Sequence, residues 1–206
     1  MLTPLHEHMA RSLDNLVTGW LRSLRGRRRG LKEVSEAARS MVFQGSANIP
    51  LVGIRTRRPD NSYRHNRCKY PGLVMSVAWR KPASYLRESA EAFINETRGV
   101  VRTVIGIDLN EVYEARKRNE TEDAKFFVWR ATFGSSGGYS GIEKNEDMVF
   151  QNRAGRAVSS TKLELSFQDF LCERTANKLA ADNPKFEVPA SELSRIINEG
   201  LATLKM

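Results

Sequence analysis

The chain has only two cysteines in 206 residues, Cys68 and Cys172, far apart and without a second pair. That scarcity excludes a disulfide scaffold and the paired spacings of a structural zinc site, and it leads to the expectation of two free thiols. Long apolar runs are also missing. Nothing approaches the roughly 20 residues that span a bilayer, so no membrane partner is expected. The first twenty residues carry His6, Glu7, Arg11 and Asp14 where a secretion signal needs an apolar stretch. An intracellular address, cytoplasmic or nuclear, is the expectation. The three histidines show no paired metal spacing, because His6 and His8 would leave a helix from different faces, and no role is assigned to them. No internal repeat or long low-complexity tract is present.

What remains is an ordinary globular composition, 40% hydrophobic and 28% charged, with a net charge of +9. The charge is unevenly placed. Residues 1–102 hold 19 Lys and Arg against 8 Asp and Glu, while the remainder holds 14 against 16. The arginines of the basic half fall in clusters: Arg22, Arg25, Arg27, Arg28 and Arg29, then Arg55, Arg57 and Arg58, then Arg64, Arg67 and Lys69. Clustered cations suit a polyanion such as DNA or RNA, since each one set against a phosphate releases condensed counterions. A solubilising surface explains the same pattern equally well.

Thr3 followed by Pro4 is a helix start, and Leu5, Met9, Leu13, Leu16, Trp20 and Leu24 recur at helical spacing up to Gly26. A shorter helix follows, with Val34, Ala38 and Met41 on one side and Glu33 and Glu36 on the other. Strands are expected over residues 41–43, 49–54 and 72–79; the last is apolar almost without interruption, as in a strand buried on both faces. Pro82 opens a helix that Gly99 ends, and residues 100–109 form another central strand, completing a βαβ unit. Residues 114–125 read as charged and turn-like, 126–133 as a strand, 134–141 as a glycine-rich loop, 162–167 as an outer strand and the segment after Pro189 as a helix. One globular unit results, with residues 1–40 as a helical segment packed on a domain of 41–206.

The ordered series Pro59, Asp60, Asn61, Ser62, then Gly72 through Trp79, then Leu86 through Ile94, then Val104 through Leu109 resembles the PD-(D/E)XK, or restriction-endonuclease-like, superfamily, including fungal and bacterial members. The resemblance covers about residues 41–133. It implies an α+β fold with a mixed sheet flanked by helices and an αβββαβ core, to which an N-terminal helix and a C-terminal strand and helix are added. It also implies nuclease chemistry, in which carboxylates hold Mg²⁺ and a lysine supports the attacking hydroxide. Asp60 falls at the position of the first metal-binding aspartate. Ser76 stands at the second acidic position, and Ala78 two residues on, where a lysine belongs.

Two readings follow from these departures. Either the site has migrated, with Glu36 or Glu33 supplying the second carboxylate beside Asp60 and Lys81 or Arg87 the cation, or the fold is kept for binding and catalysis is weak or lost. The second is favoured, because a metal site tolerates few missing anionic ligands. The nucleic-acid contacts expected are Arg27, Arg28, Arg29, Arg57, Arg58, Arg64, Arg67 and Lys69, with Tyr63 and Tyr70 placed to stack on bases. Trp79 and Trp129 read as core. A third expectation, of a different class, is a protein-interaction or self-association role for the amphipathic N-terminal helix.

Overall fold

The computed structural model describes residues 4–26, 32–51, 56–145, 147–179 and 183–203. Its fold is α+β: a mixed seven-stranded sheet, a separate two-stranded sheet and six helices among the described residues. Arg27, Arg28 and Arg29, expected to contact nucleic acid, lie outside the described residues.

The long N-terminal helix α1 (Pro4–Arg25) buries Leu5, Met9, Leu13, Val17, Leu21 and Leu24, the three- and four-residue spacing that keeps side chains on one face. Helix α2 (Lys32–Arg39) follows and leads into a meander of β1 (Met41–Phe43), β2 (Asn61–His65) and β3 (Leu73–Ala78), antiparallel throughout. Helix α3 (Ala83–Glu96) then crosses over to β4 (Thr103–Asp108), which runs parallel to β3, with Leu73 opposite Thr103 and Ala78 opposite Asp108. Beyond β4 come α4 (Asn110–Lys117), β5 (Ala124–Phe133), β6 (Tyr139–Lys144) and β7 (Met148–Gln151), the last two both antiparallel to β5. The chain closes with β8 (Lys162–Ser166), a 3₁₀ turn at Phe167–Phe170, α5 (Glu173–Ala176), β9 (Lys185–Pro189) and α6 (Ala190–Ala202).

All six residues of β3 and all six of β4 are buried, so the near-continuous apolar runs do mark central strands. Alternate side chains serve two cores. Met75, Val77, Ile105, Ile107, Phe126 and Val128 meet α1, α6 and the β8–β9 pair, while Val74, Ala78, Val104, Phe127 and Trp129 meet α3. The sheet is therefore covered on both faces, which is what its apolar central strands require.

Four expectations are corrected. The stretch 114–125 is not simply turn-like: α4 runs to Lys117, started by an Asp108 carboxylate that accepts the Asn110 N–H at 2.9 Å. Ala115 is its one buried residue, too little apolar periodicity to read as a helix. Next, the glycine-rich loop is shorter than expected, since β6 begins at Tyr139.

The thiols are not free. Cys68 and Cys172 form a disulfide, with Cα atoms 6.0 Å apart across 104 residues of sequence. Separation along the chain says nothing about proximity in the fold, and Gly72 is what lets these segments meet: a Cβ there would fall on the Phe170 backbone carbonyl. Disulfides persist in oxidising surroundings and are rare in the cytosol and nucleus. No helix among the described residues is long and apolar enough to cross a membrane.

Finally, the apolar face of α1 is not a free surface. Leu5, Met9 and Leu13 are buried in the core, and Trp20 packs at 5.4 Å from the rings of Phe170 and Phe186. Helix α6 approaches so closely that a Cβ at Gly200 would overlap the Leu5 side chain. The face expected to meet a partner is spent inside the molecule.

Candidate functional site

The turn before β2 delivers Asp60 to β3. Its backbone N–H donates to Met75 O at 3.0 Å, and the register that sets Asn61 opposite Met75 puts Asp60 across from Ser76. The carboxylate is held on both sides: Oδ2 accepts the Val77 N–H at 2.7 Å, and Oδ1 lies 3.0 Å from Nε2 of His6 on α1. The helix is pinned where it can do this, because Asn61 Nδ2 donates to Ala10 O at 2.7 Å. Only one of these contacts was foreseeable in kind. Asp60 stands out by its proline neighbour, whereas nothing in the residue order pairs His6 with a carboxylate 54 positions away.

Asp60 and His6 line a cavity of about 280 Å³, together with Ser76, Val77, Trp79, Arg58, Lys81 and Tyr85. Arg58 is fixed by Ser46, donating from Nε to the carbonyl at 2.9 Å and from Nη2 to the hydroxyl at 3.0 Å. Lys81 places Nζ 3.7 Å above the centre of the Tyr85 ring. Burial works to raise the Tyr85 phenol, but the Lys81 ammonium, the Ser89 hydroxyl and the Arg57 guanidinium outweigh it and hold the group below its ordinary value. The cavity thus has one carboxylate and two cations, Arg58 and Lys81.

Its rim continues through Trp79 at the end of β3. The Trp79 ring lies 4.1 Å from that of Tyr113 on α4, and Arg80 Nη2 donates to the Tyr113 hydroxyl at 3.0 Å. That hydrogen bond, followed by the influence of Lys117, lowers the Tyr113 phenol below its ordinary value. Arg80 achieves the contact in the left-handed backbone region, at φ 56°.

The other expected residues are distributed. Glu36 does not join Asp60; with Glu33, His65, Arg67, Thr175 and Lys178 it lines a different cavity, of about 260 Å³. Helix α2 packs on α1 beyond β1, at the far end of β2 from Asp60, which is why its carboxylates cannot serve the same site. Arg57 reaches instead to the Ser89 hydroxyl at 2.9 Å on α3, Arg64 to the Cys68 carbonyl at 3.4 Å, and Lys69 sits 5.0 Å over the Tyr70 ring. Tyr63 and Tyr70 are not stacking platforms. Both are buried, and the Tyr63 hydroxyl donates to Asp14 Oδ1 at 2.6 Å. Burial, reinforced by that carboxylate, drives the Tyr63 phenol far above its ordinary value.

The donor set does not suit Mg²⁺. A hard cation needs several oxygen ligands, charged ones foremost, but both oxygens of Asp60 are engaged and Ser76 is neutral. No group of three His, Cys, Asp or Glu side chains able to hold a metal occurs among the described residues. What the arrangement can do is receive an anion. Comparison with family models, with curated proteins and with solved structures finds no match for this chain.

Proposed function

We propose that this chain is a nucleic-acid-binding domain derived from the PD-(D/E)XK nucleases, in which metal-dependent hydrolysis is weak or lost. The observation that carries the reading is the cavity in which Asp60 and Ser76 face each other across β2 and β3, flanked by Arg58 and Lys81 and holding no second carboxylate. A nuclease centre of that family needs acidic side chains at both positions; here one is neutral and the other is bound by the chain itself. Removing one carboxylate leaves the basic groups to set the field, and a phosphodiester is the anion they fit. The reading is supported by the element order: α2, the β1–β2–β3 meander, α3 and a parallel β4, preceded by α1, run as the αβββαβ core that the resemblance implies.

Fluorescence anisotropy with labelled oligonucleotides across a salt series tests this. Binding is expected to weaken linearly in log–log form as salt rises, and Arg58→Ala and Lys81→Ala each to lower the slope by roughly 0.7 to 0.9. With Mg²⁺ or Mn²⁺ present, hydrolysis should be weak or undetectable and should rise in Ser76→Glu, which restores a carboxylate beside Asp60. Binding insensitive to salt and to both substitutions would remove the proposal. Vigorous cleavage that Asp60→Ala abolishes would overturn the loss of catalysis.

A further inference from the structure

Resting on that reading, we infer that the site takes single-stranded rather than duplex nucleic acid, with an unpaired base on the Tyr113 platform and its neighbouring phosphate in the Asp60 cavity. Three observations carry the inference. The aromatic groups expected to stack are buried, but two half-buried rings lie where the parallel strands β3 and β4 end: Tyr85 in the cavity wall, and Tyr113 backed by the buried Trp79 ring. In an open sheet the carboxyl ends of parallel strands are where ligands bind.

Arg80 and Lys81 are paired with rings instead of carboxylates, while Lys117 is shared between the Tyr113 ring and Glu114 Oε1, 3.0 Å away. Arg80 sits 5.5 Å and Lys117 4.1 Å over the Tyr113 ring, and Lys81 3.7 Å over Tyr85. Neither Arg58, Arg80 nor Lys81 forms an ion pair among the described residues, unlike Lys162, Lys185 and Arg195 elsewhere on the surface. Aromatic rings interleaved with unneutralised cations are the composition of a single-strand groove, in which bases stack and the backbone follows the charge. Exposed Lys117, already paired with Glu114, is the cover that an incoming base displaces, and the flanking phosphate is left to Arg58, Arg80 and Lys81.

The third observation is the backbone of Arg80. A non-glycine residue held at φ 56° is an uncommon conformation that persists where the surroundings impose it, and such positions concentrate at ligand sites. Here it accompanies an exposed guanidinium that donates to the Tyr113 hydroxyl and lies 5.5 Å from the ring centre. A duplex cannot use this surface, because its base faces are already stacked on one another and only edges show in the grooves.

The test compares, in one buffer, a fluorescein-labelled oligothymidylate, the same strand annealed to its complement, and a strand of equal length carrying abasic residues. The native protein should bind the single strand about ten-fold or more tightly than the duplex, and the abasic strand should lose that advantage. Tyr113→Ala should weaken single-strand binding about ten-fold while leaving duplex binding unchanged, and Tyr113→Phe, which keeps the ring, should restore it. Equal affinity of the native protein for single strand and duplex, or for intact and abasic strands, overturns the inference and leaves the proposed function standing. Absence of salt-dependent binding to every probe removes the proposed function itself.

Discussion

Asp60 shows how far a single residue can be read from sequence. Its place beside Pro59 and ahead of a strand is visible in the residue order, and so is the neutral Ser76 opposite it. The imidazole that completes the pair is invisible, because His6 comes from α1 and meets Asp60 only through tertiary packing. Tyr63 and Tyr70 fail for the related reason that a tyrosine among arginines reads as exposed until the sheet buries it. His65 belongs to the same group. Burial, assisted by Arg67, lowers its pKa from 6.5, while its Nδ1 accepts the Arg67 N–H at 3.2 Å.

A histidine with a folded-state pKa below its unfolded value binds fewer protons in the native state. Its contribution to stability is therefore complete above about pH 6.5 and is lost as pH falls through the depressed value. Urea unfolding between pH 7.5 and 5.5 should show this loss, with a slope of up to about 1.4 kcal/mol per pH unit for one proton. His65→Asn, which keeps an acceptor near the Nδ1 position, should flatten the profile. An unchanged profile would assign the pH response elsewhere.

At the level of elements, legibility followed the strength of the apolar pattern. The six buried apolar side chains of α1 at regular spacing, and the unbroken runs of β3 and β4, announce themselves. The short strand β7 and the mostly polar α4 do not, since each is held by its neighbours more than by its own periodicity: β7 by pairing with β5, α4 by the Asn110 N–H donating to Asp108 and by the Trp79–Tyr113 contact. The same pattern misled in one respect. An amphipathic helix at a chain end reads as a docking surface, yet α1 forms one wall of the larger core, touching β3 and α6. Leu13→Ala should accordingly cost about 2 to 5 kcal/mol by the loss of buried contact and the cavity left behind. Arg11→Ala, on the exposed face, should change the urea midpoint little.

For the molecule as a whole, the described cations of residues 56–69 are dispersed, with Arg57, Arg64 and Lys69 bound to neighbouring groups. Arg58 joins Lys81 around Asp60, whereas Arg67 lies beyond the other end of β2 in the cavity with Glu33 and Glu36. Net charge could not reveal that division, because it is made by the antiparallel meander. Nor could it reveal the disulfide, which ties the β2–β3 connection to the start of α5. Closing a loop of about 100 residues removes much of the freedom of the unfolded chain, and its removal typically costs about 2 to 5 kcal/mol. A Cys68→Ser, Cys172→Ser double variant should show a lower urea midpoint than the oxidised protein, and a reducing agent should lower the midpoint of the native chain but not of the variant. Equal midpoints would mean that packing alone holds the segments together.

That bond also bears on the order of events during synthesis. Cys172 leaves the ribosome 104 residues after Cys68, a delay of about 5 to 20 s at ordinary elongation rates. Every strand from β3 to β8 lies between the two cysteines, so the central parallel pair has been made long before the covalent link is chemically available. The link therefore becomes available only when every strand except β9 has been synthesised. The first cysteine must wait unpaired through most of the chain's elongation.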